Sequence, residues 1–142
     1  MKSAKTAAKA AAIAADKTVL IVIDDAKGVA EMATEIAGAL KGNRVMVKKV
    51  SEFAGNDILP TDAFFLGCEA PNQDSFAYIT DFFRHINLAG RCCGIFSSGA
   101  KDTVDYLMSL IHDSEVTVKN EPLLPGSRDG IKKWAQSVVS GY

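Results

Sequence analysis

The feature that most constrains the fold of this chain is an uninterrupted apolar run, T-V-L-I-V-I, at residues 18–23. A β-branched run with no polar alternation predicts a strand that is buried on both faces, as the strands of a parallel sheet are. Gly28 follows, and apolar residues then recur at helical spacing as far as Leu40, with Gly42 as a C-cap. The sequence therefore predicts an interior strand that leads directly into a helix.

The same unit recurs along the rest of the chain, where apolar segments alternate with segments of helical periodicity. Further strands are predicted at residues 44–50, 62–68, 91–97 and 115–119. The charges in the first of these segments, R-V-M-V-K-K-V, favour an edge position in the sheet. Five strands that alternate with helices predict an α/β fold, a three-layer α/β/α sandwich around a five-stranded parallel sheet.

Charge divides the chain into a basic tail, residues 1–17, and a mildly acidic domain, residues 18–142. The net charge is −1, and four lysines against one aspartate give the tail +3, so the domain carries −4. No Lys/Arg stripe with interleaved aromatic residues occurs, which argues against a nucleic-acid partner. No apolar stretch approaches the roughly 20 residues of a membrane span, so no membrane partner is expected. Lys9 interrupts the Ala-rich tail, which favours a frayed helix or a disordered tail over a signal peptide.

The three cysteines, Cys68, Cys92 and Cys93, are odd in number and show no C-x-x-C spacing. We expect buried thiols in a reducing, cytoplasmic compartment. The two histidines, His85 and His112, fall late in predicted helices, where a cation interacts favourably with the helix dipole. Neither a metal site nor a Ser/His/Asp arrangement follows from these spacings, so we do not expect an enzyme.

Ligands of open parallel sheets bind outside the carboxyl ends of the strands, where the strand order reverses. In this chain that rule points to three loops, residues 24–30, 68–75 and 97–102. No G-x-G-x-x-G motif follows the first strand, which argues against a dinucleotide-dependent enzyme.

Two segments resemble flavodoxins. The first is N-D-I-L-P-T-D-A-F-F-L-G-C at residues 56–68, and the second is R-C-C-G-I-F-S-S-G at residues 91–99. The resemblance extends over residues 18–140 and implies flavodoxin-like strand order, bound FMN and electron transfer to a redox partner protein. It also implies that three loops hold the flavin. The corresponding residues are Asp25, Ala26, Lys27, Gly28, Val29 and Ala30 in the first loop, Gly67, Cys68, Glu69 and Ala70 in the second, and Ser97, Ser98 and Gly99 in the third.

The three loops depart from the flavodoxin pattern. The first lacks the hydroxyls that bind the FMN phosphate and carries Asp25 instead. A carboxylate within about 4 Å of a phosphate is repulsive by roughly 1–4 kcal/mol. The second and third loops contain no aromatic residue to stack on the flavin ring. The alternative interpretation is a solvated turn with helix-capping carboxylates in the first loop, and serines that cap the next helix in the third.

Two functions therefore remain open. The chain is either an FMN-binding electron carrier or a flavodoxin-like domain that has lost flavin and acts as a protein-interaction or regulatory module. The sequence gives no indication of the oligomeric state.

Overall fold

The computed structural model describes residues 17–118 and 120–140. The predicted tail, residues 1–17, lies outside these residues except for Lys17, whose N–H donates to Asn43 Oδ1 at 2.9 Å. Within the described residues, four strands and four α-helices follow one another. The strands are β1 (Thr18–Ile23), β2 (Arg44–Lys49), β3 (Ala63–Cys68) and β4 (Cys92–Ser97). The helices are α1 (Lys27–Ala39), α2 (Ala77–Arg84), α3 (Lys101–Ile111) and α4 (Ile131–Ser140).

The sheet is parallel throughout, and its strand order is β2-β1-β3-β4. The central strand β1 pairs with β2 on one side and with β3 on the other, so that Ile21 aligns with both Val47 and Phe65. These findings confirm the interior position of the first strand and the edge position of the charged second strand.

In the part of the chain that the structure describes the sheet has four strands, so the prediction of a fifth strand at residues 115–119 is wrong. The segment after α3 meets β4 at two isolated parallel bridges, Cys92 with Thr117 and Phe96 with Leu123. From Thr117 to Leu123 the segment advances by six residues, whereas β4 advances by four residues from Cys92 to Phe96. The two extra residues interrupt the ladder of backbone hydrogen bonds. Glu115 adopts a left-handed φ of 68°, and Pro122 has no N–H to donate.

Helices cover both faces of the sheet, as the three-layer prediction requires. On one face α2 and α3 close a core with the side chains of Leu20, Val22, Phe64, Leu66, Ile79, Phe83, Ile95 and Leu107. On the other face α1 and α4 close a second core with Val19, Ile21, Met32, Ile36, Phe65, Phe96, Ala135 and Val138. None of the described helices is long and apolar enough to cross a membrane.

The only tryptophan of the chain, Trp134 of α4, connects this second core to the segment that meets β4 at the two isolated bridges. Its ring packs against Phe65 and Phe96, with centroid distances of 5.4 and 6.5 Å. Its Nε1–H donates to the carbonyl oxygen of Glu121 at 2.7 Å, between the two isolated bridges. Helix α4 therefore holds this segment, which lies where a fifth strand was predicted, through the bond from Trp134 to Glu121.

Candidate functional site

The predicted site residues gather at one edge of the sheet, where β1, β3 and β4 end. Because parallel strands end at the same edge, their following loops are neighbours there. The first loop comprises residues 24–26, the second residues 69–73 and the third residues 98–100. The remaining predicted site residues lie in the adjoining elements: Lys27, Gly28, Val29 and Ala30 begin α1, Gly67 and Cys68 end β3, and Ser97 ends β4.

Two adjacent carboxylates in the first loop have opposite environments. Asp24 is 5% exposed. Its Oδ2 accepts hydrogen bonds from Glu69 N and Gln73 Nε2, both at 2.9 Å, and its Oδ1 accepts one from Ala26 N at 3.1 Å. The Asp25 side chain is 82% exposed and forms an ion pair with Lys49 at 3.3 Å. Asp24 therefore ties the first loop to the second, whereas Asp25 faces solvent.

The start of α1 is covered by the third loop. Ala26 is the N-cap residue and its side chain forms no capping hydrogen bond, so neither aspartate is the N-cap, although Asp24 accepts a bond from the Ala26 N–H just before the helix. A Cβ atom on Gly28 would lie 3.0 Å from Ser98 Cβ, so a larger residue there would require Ser98 to shift by a few tenths of an ångström. The Ser98 Oγ atom is buried and has no hydrogen-bond partner among the described residues. The third loop thus occupies space beside the helix end to which the resemblance assigns a phosphate.

The second and third loops are in direct contact. A Cβ atom on Gly99 would overlap the carbonyl oxygen of Glu69. That same oxygen accepts a hydrogen bond from Thr103 Oγ1 of α3 at 3.1 Å. The second loop is five residues long and the third is three, and neither contains an aromatic residue. The Glu69 carbonyl oxygen therefore lies directly against the backbone of Gly99.

Ser97 and Ser98 do not cap α3, so that alternative prediction is wrong. The N-cap residue is Ala100, and no side chain bonds to this end of the helix. Ser97 is fully buried, and its Oγ accepts a hydrogen bond from Gly99 N at 2.8 Å. This bond holds the third loop in its tight turn against the second.

Cys68 and Cys93 are buried thiols, as predicted, whereas Cys92 is only partly buried, so the prediction is wrong for that residue. The Cys68 Sγ donates to the carbonyl oxygen of Ala70 at 3.4 Å. Burial raises the pKa of Cys68 to about 12, and the nearby charge of Asp24 adds to the increase. Burial also raises the pKa of Tyr106, which packs against the same core, and electrostatic interaction with Cys68 adds to the increase. Since the thiolate is the reactive form, Cys68 is an inert packing residue at neutral pH.

Three residues that organise this edge were not among the predicted flavin-binding residues: Asp24 and Gln73, which lie within the predicted loops, and Thr103, which lies outside them. Asp24 follows directly after a buried strand, a position that could have identified it. Gln73 and Thr103 gave no such signal, because their roles depend on contacts with residues far away in the sequence.

No family model matches this chain, and no curated protein matches it. Solved structures of flavodoxins are similar to it in fold. A short-chain flavodoxin associated with a PDU bacterial microcompartment shares 16% identity with a TM-score of 0.77, over 88% of this chain and 98% of its own. Flavodoxin 2 from Bacillus cereus shares 16% identity with a TM-score of 0.76, over 88% and 99%. A Fusobacterium nucleatum flavodoxin mutant bound to flavin mononucleotide shares 12% identity with a TM-score of 0.67, over 89% and 95%. The chain therefore has a flavodoxin-like fold.

Proposed function

We propose that this chain is a flavodoxin-like domain that works without FMN and serves as a protein-interaction or regulatory module. The observation that carries the proposal is the contact between the second and third loops, where Gly99 lies against the Glu69 carbonyl. A flavin ring would have to separate these loops and break the bond from Thr103 to Glu69. The residues present therefore do not fit FMN in the flavodoxin manner.

The first loop supports the same proposal. The Ala26 N–H already donates to Asp24, and Ser98 covers Gly28 at the start of α1. A phosphate at this end of the helix would lose two hydroxyl hydrogen bonds relative to the flavodoxin pattern, each worth roughly 1.5–3 kcal/mol to a charged acceptor. In this proposal the chain is not an enzyme. Its three free cysteines are compatible with a reducing, cytoplasmic location.

Titration of the purified chain with FMN, followed by quenching of flavin fluorescence, tests the proposal. We expect a colourless protein that does not quench FMN at micromolar concentrations. The triple variant Asp25→Thr, Lys27→Thr, Ala30→Thr supplies the missing hydroxyls and removes the exposed carboxylate. It should gain little affinity, because the contact between the ring-binding loops is unchanged. A yellow protein, or stoichiometric quenching by the natural chain, would show that the loops open for flavin.

A second candidate is an FMN-binding electron carrier that serves a redox partner protein. It is favoured by the flavodoxin-like fold and by the Ser98 hydroxyl, which is buried beside Gly28 without a partner. This hydroxyl could donate to a phosphate at the start of α1 if the third loop moved. The same titration distinguishes the two candidates, since only the carrier requires FMN affinity in the natural chain.

A further inference from the structure

The carboxylate of Asp24 is the most elaborately bonded acidic group at the carboxyl edge of the sheet. Three donors converge on it: the backbone N–H of Ala26, the backbone N–H of Glu69 and the side-chain amide of Gln73. None of the ion pairs between described residues involves Asp24. Within the described residues its oxygen atoms are bonded only by neutral N–H groups, which is how backbone concavities bind anions.

The donors belong to different parts of the fold. Ala26 immediately precedes α1, whereas Glu69 and Gln73 lie in the second loop, 45 and 49 positions after Asp24. Both backbone groups of Glu69 are used, since its N–H donates to Asp24 and its carbonyl oxygen accepts from Thr103. Glu69 is thus the point at which the first loop, the second loop and α3 are joined.

We propose that Asp24 acts as a built-in anion: its carboxylate occupies a three-donor receptor and holds the first two loops closed without an external ligand. The inference rests on the proposed function, because a domain that works without FMN needs another means of ordering these loops. If the side chain is truncated, the three donors form an empty receptor for a small carboxylate. The ligand class predicted for the truncated protein is a monoanion the size of formate.

Asp62 provides a matched control on the same molecule. Its Oδ2 accepts one backbone hydrogen bond, from Thr18 N at 2.9 Å, and the residue is exposed. Asp62→Ala removes a carboxylate and a backbone bond but leaves no enclosed receptor. It therefore reports the effect of losing a carboxylate without the effect proposed for Asp24.

The experiment is chemical rescue of the full-length chain. We expect Asp24→Ala to lower Tm by about 5–10 °C, because three buried donors lose their acceptor. Sodium formate should raise the Tm of this variant saturably and restore about half of the loss, as mass action on a folded-state site requires. Sodium chloride at the same ionic strength should not do so, and neither salt should distinguish Asp62→Ala from the natural chain. Equal responses to formate and chloride, or equal formate responses in the two variants, would overturn the proposal.

A second variant covers the case in which Asp24→Ala does not fold. Asp24→Asn keeps the volume but presents an NH₂ group to one set of donors. Amide hydrogen exchange should then accelerate at Ala26 or at Glu69, since one carbonyl oxygen cannot accept from both sides. Unchanged protection at both amides would contradict the proposal. Flavin plays no part in these readouts, so FMN binding by the natural chain would refute the proposed function and leave this inference to its own test.

Discussion

The contact between Gly99 and Glu69 makes a quantitative prediction for the substitution Gly99→Ala. Gly99 is not among the glycines with positive φ, which are Gly42 and Gly90. The added methyl group therefore imposes no left-handed backbone strain, and its cost originates in overlap with the Glu69 carbonyl oxygen. Because that oxygen belongs to the backbone, the second and third loops must separate to accommodate the methyl group.

The magnitude follows from two contributions. Overpacking of a tight contact costs roughly 1–3 kcal/mol. Separation of the loops also weakens the hydrogen bond from Thr103 Oγ1 to Glu69, worth about 1 kcal/mol. We therefore expect Gly99→Ala to lower the free energy of unfolding by about 2–4 kcal/mol.

Urea unfolding followed by far-UV circular dichroism measures this loss, with Gly38→Ala as the matched control. Gly38 lies on the exposed face of α1, and a Cβ atom there would meet nothing within 4 Å. The control should gain up to about 1 kcal/mol, because alanine is the better helix former. If Gly99→Ala were as stable as the natural chain, the loops would separate readily, and the argument for a closed site would fail.

Two further predictions concern the same edge. Ser98→Ala removes a buried hydroxyl that has no partner among the described residues and should leave the free energy of unfolding unchanged or raise it by about 1 kcal/mol. Ser97→Ala loses the bond from Gly99 N and should lower the free energy of unfolding by about 1 kcal/mol. Urea unfolding compares the two variants, and a loss of stability for Ser98→Ala would contradict the prediction. Cys68 should resist alkylation by iodoacetamide at pH 8 while half-buried Cys92 reacts, as peptide mass spectrometry can measure. Because the folded pKa of Cys68 is about 12 and its ordinary value is 9.0, this thiol's contribution to stability is complete below pH 9 and is lost as the pH rises towards 12. A Cys68→Ala variant should therefore lose less stability over that range, and equal alkylation of the two cysteines would contradict the assignment.

The strands of the sheet were predictable where burial leaves a direct mark on the sequence. β1 is covered on both faces, so its residues form an unbroken apolar run, and the basic residues of β2 correspond to its edge position. The missing fifth strand was not predictable from the alternating segment Val116, Thr117 and Val118 alone. The two extra residues between Thr117 and Leu123 become apparent only when the segment is aligned against β4.

The edge of the sheet at which the predicted loops meet could be deduced from the sequence, but the contacts between those loops could not. The adjacent residues Asp24 and Asp25 look equivalent in the sequence, yet one is buried with three donors and the other is exposed. Likewise, Ser97 and Ser98 looked like helix caps in the sequence. Ser98 instead packs beside Gly28, and Ser97 accepts a hydrogen bond from the nearby Gly99 N–H. These differences arise from contacts between loops that no local pattern encodes.

The position of Trp134 gives the chain an intrinsic optical reporter. Its indole N–H is bonded to Glu121, and its ring rests on Phe65 and Phe96. Any event that draws the interrupted segment away from β4 would break this bond and change the polarity around the indole. With no other tryptophan in the chain, the tryptophan emission reports on the surroundings of this one side chain. Binding of a partner along β4 would then be detectable without any label.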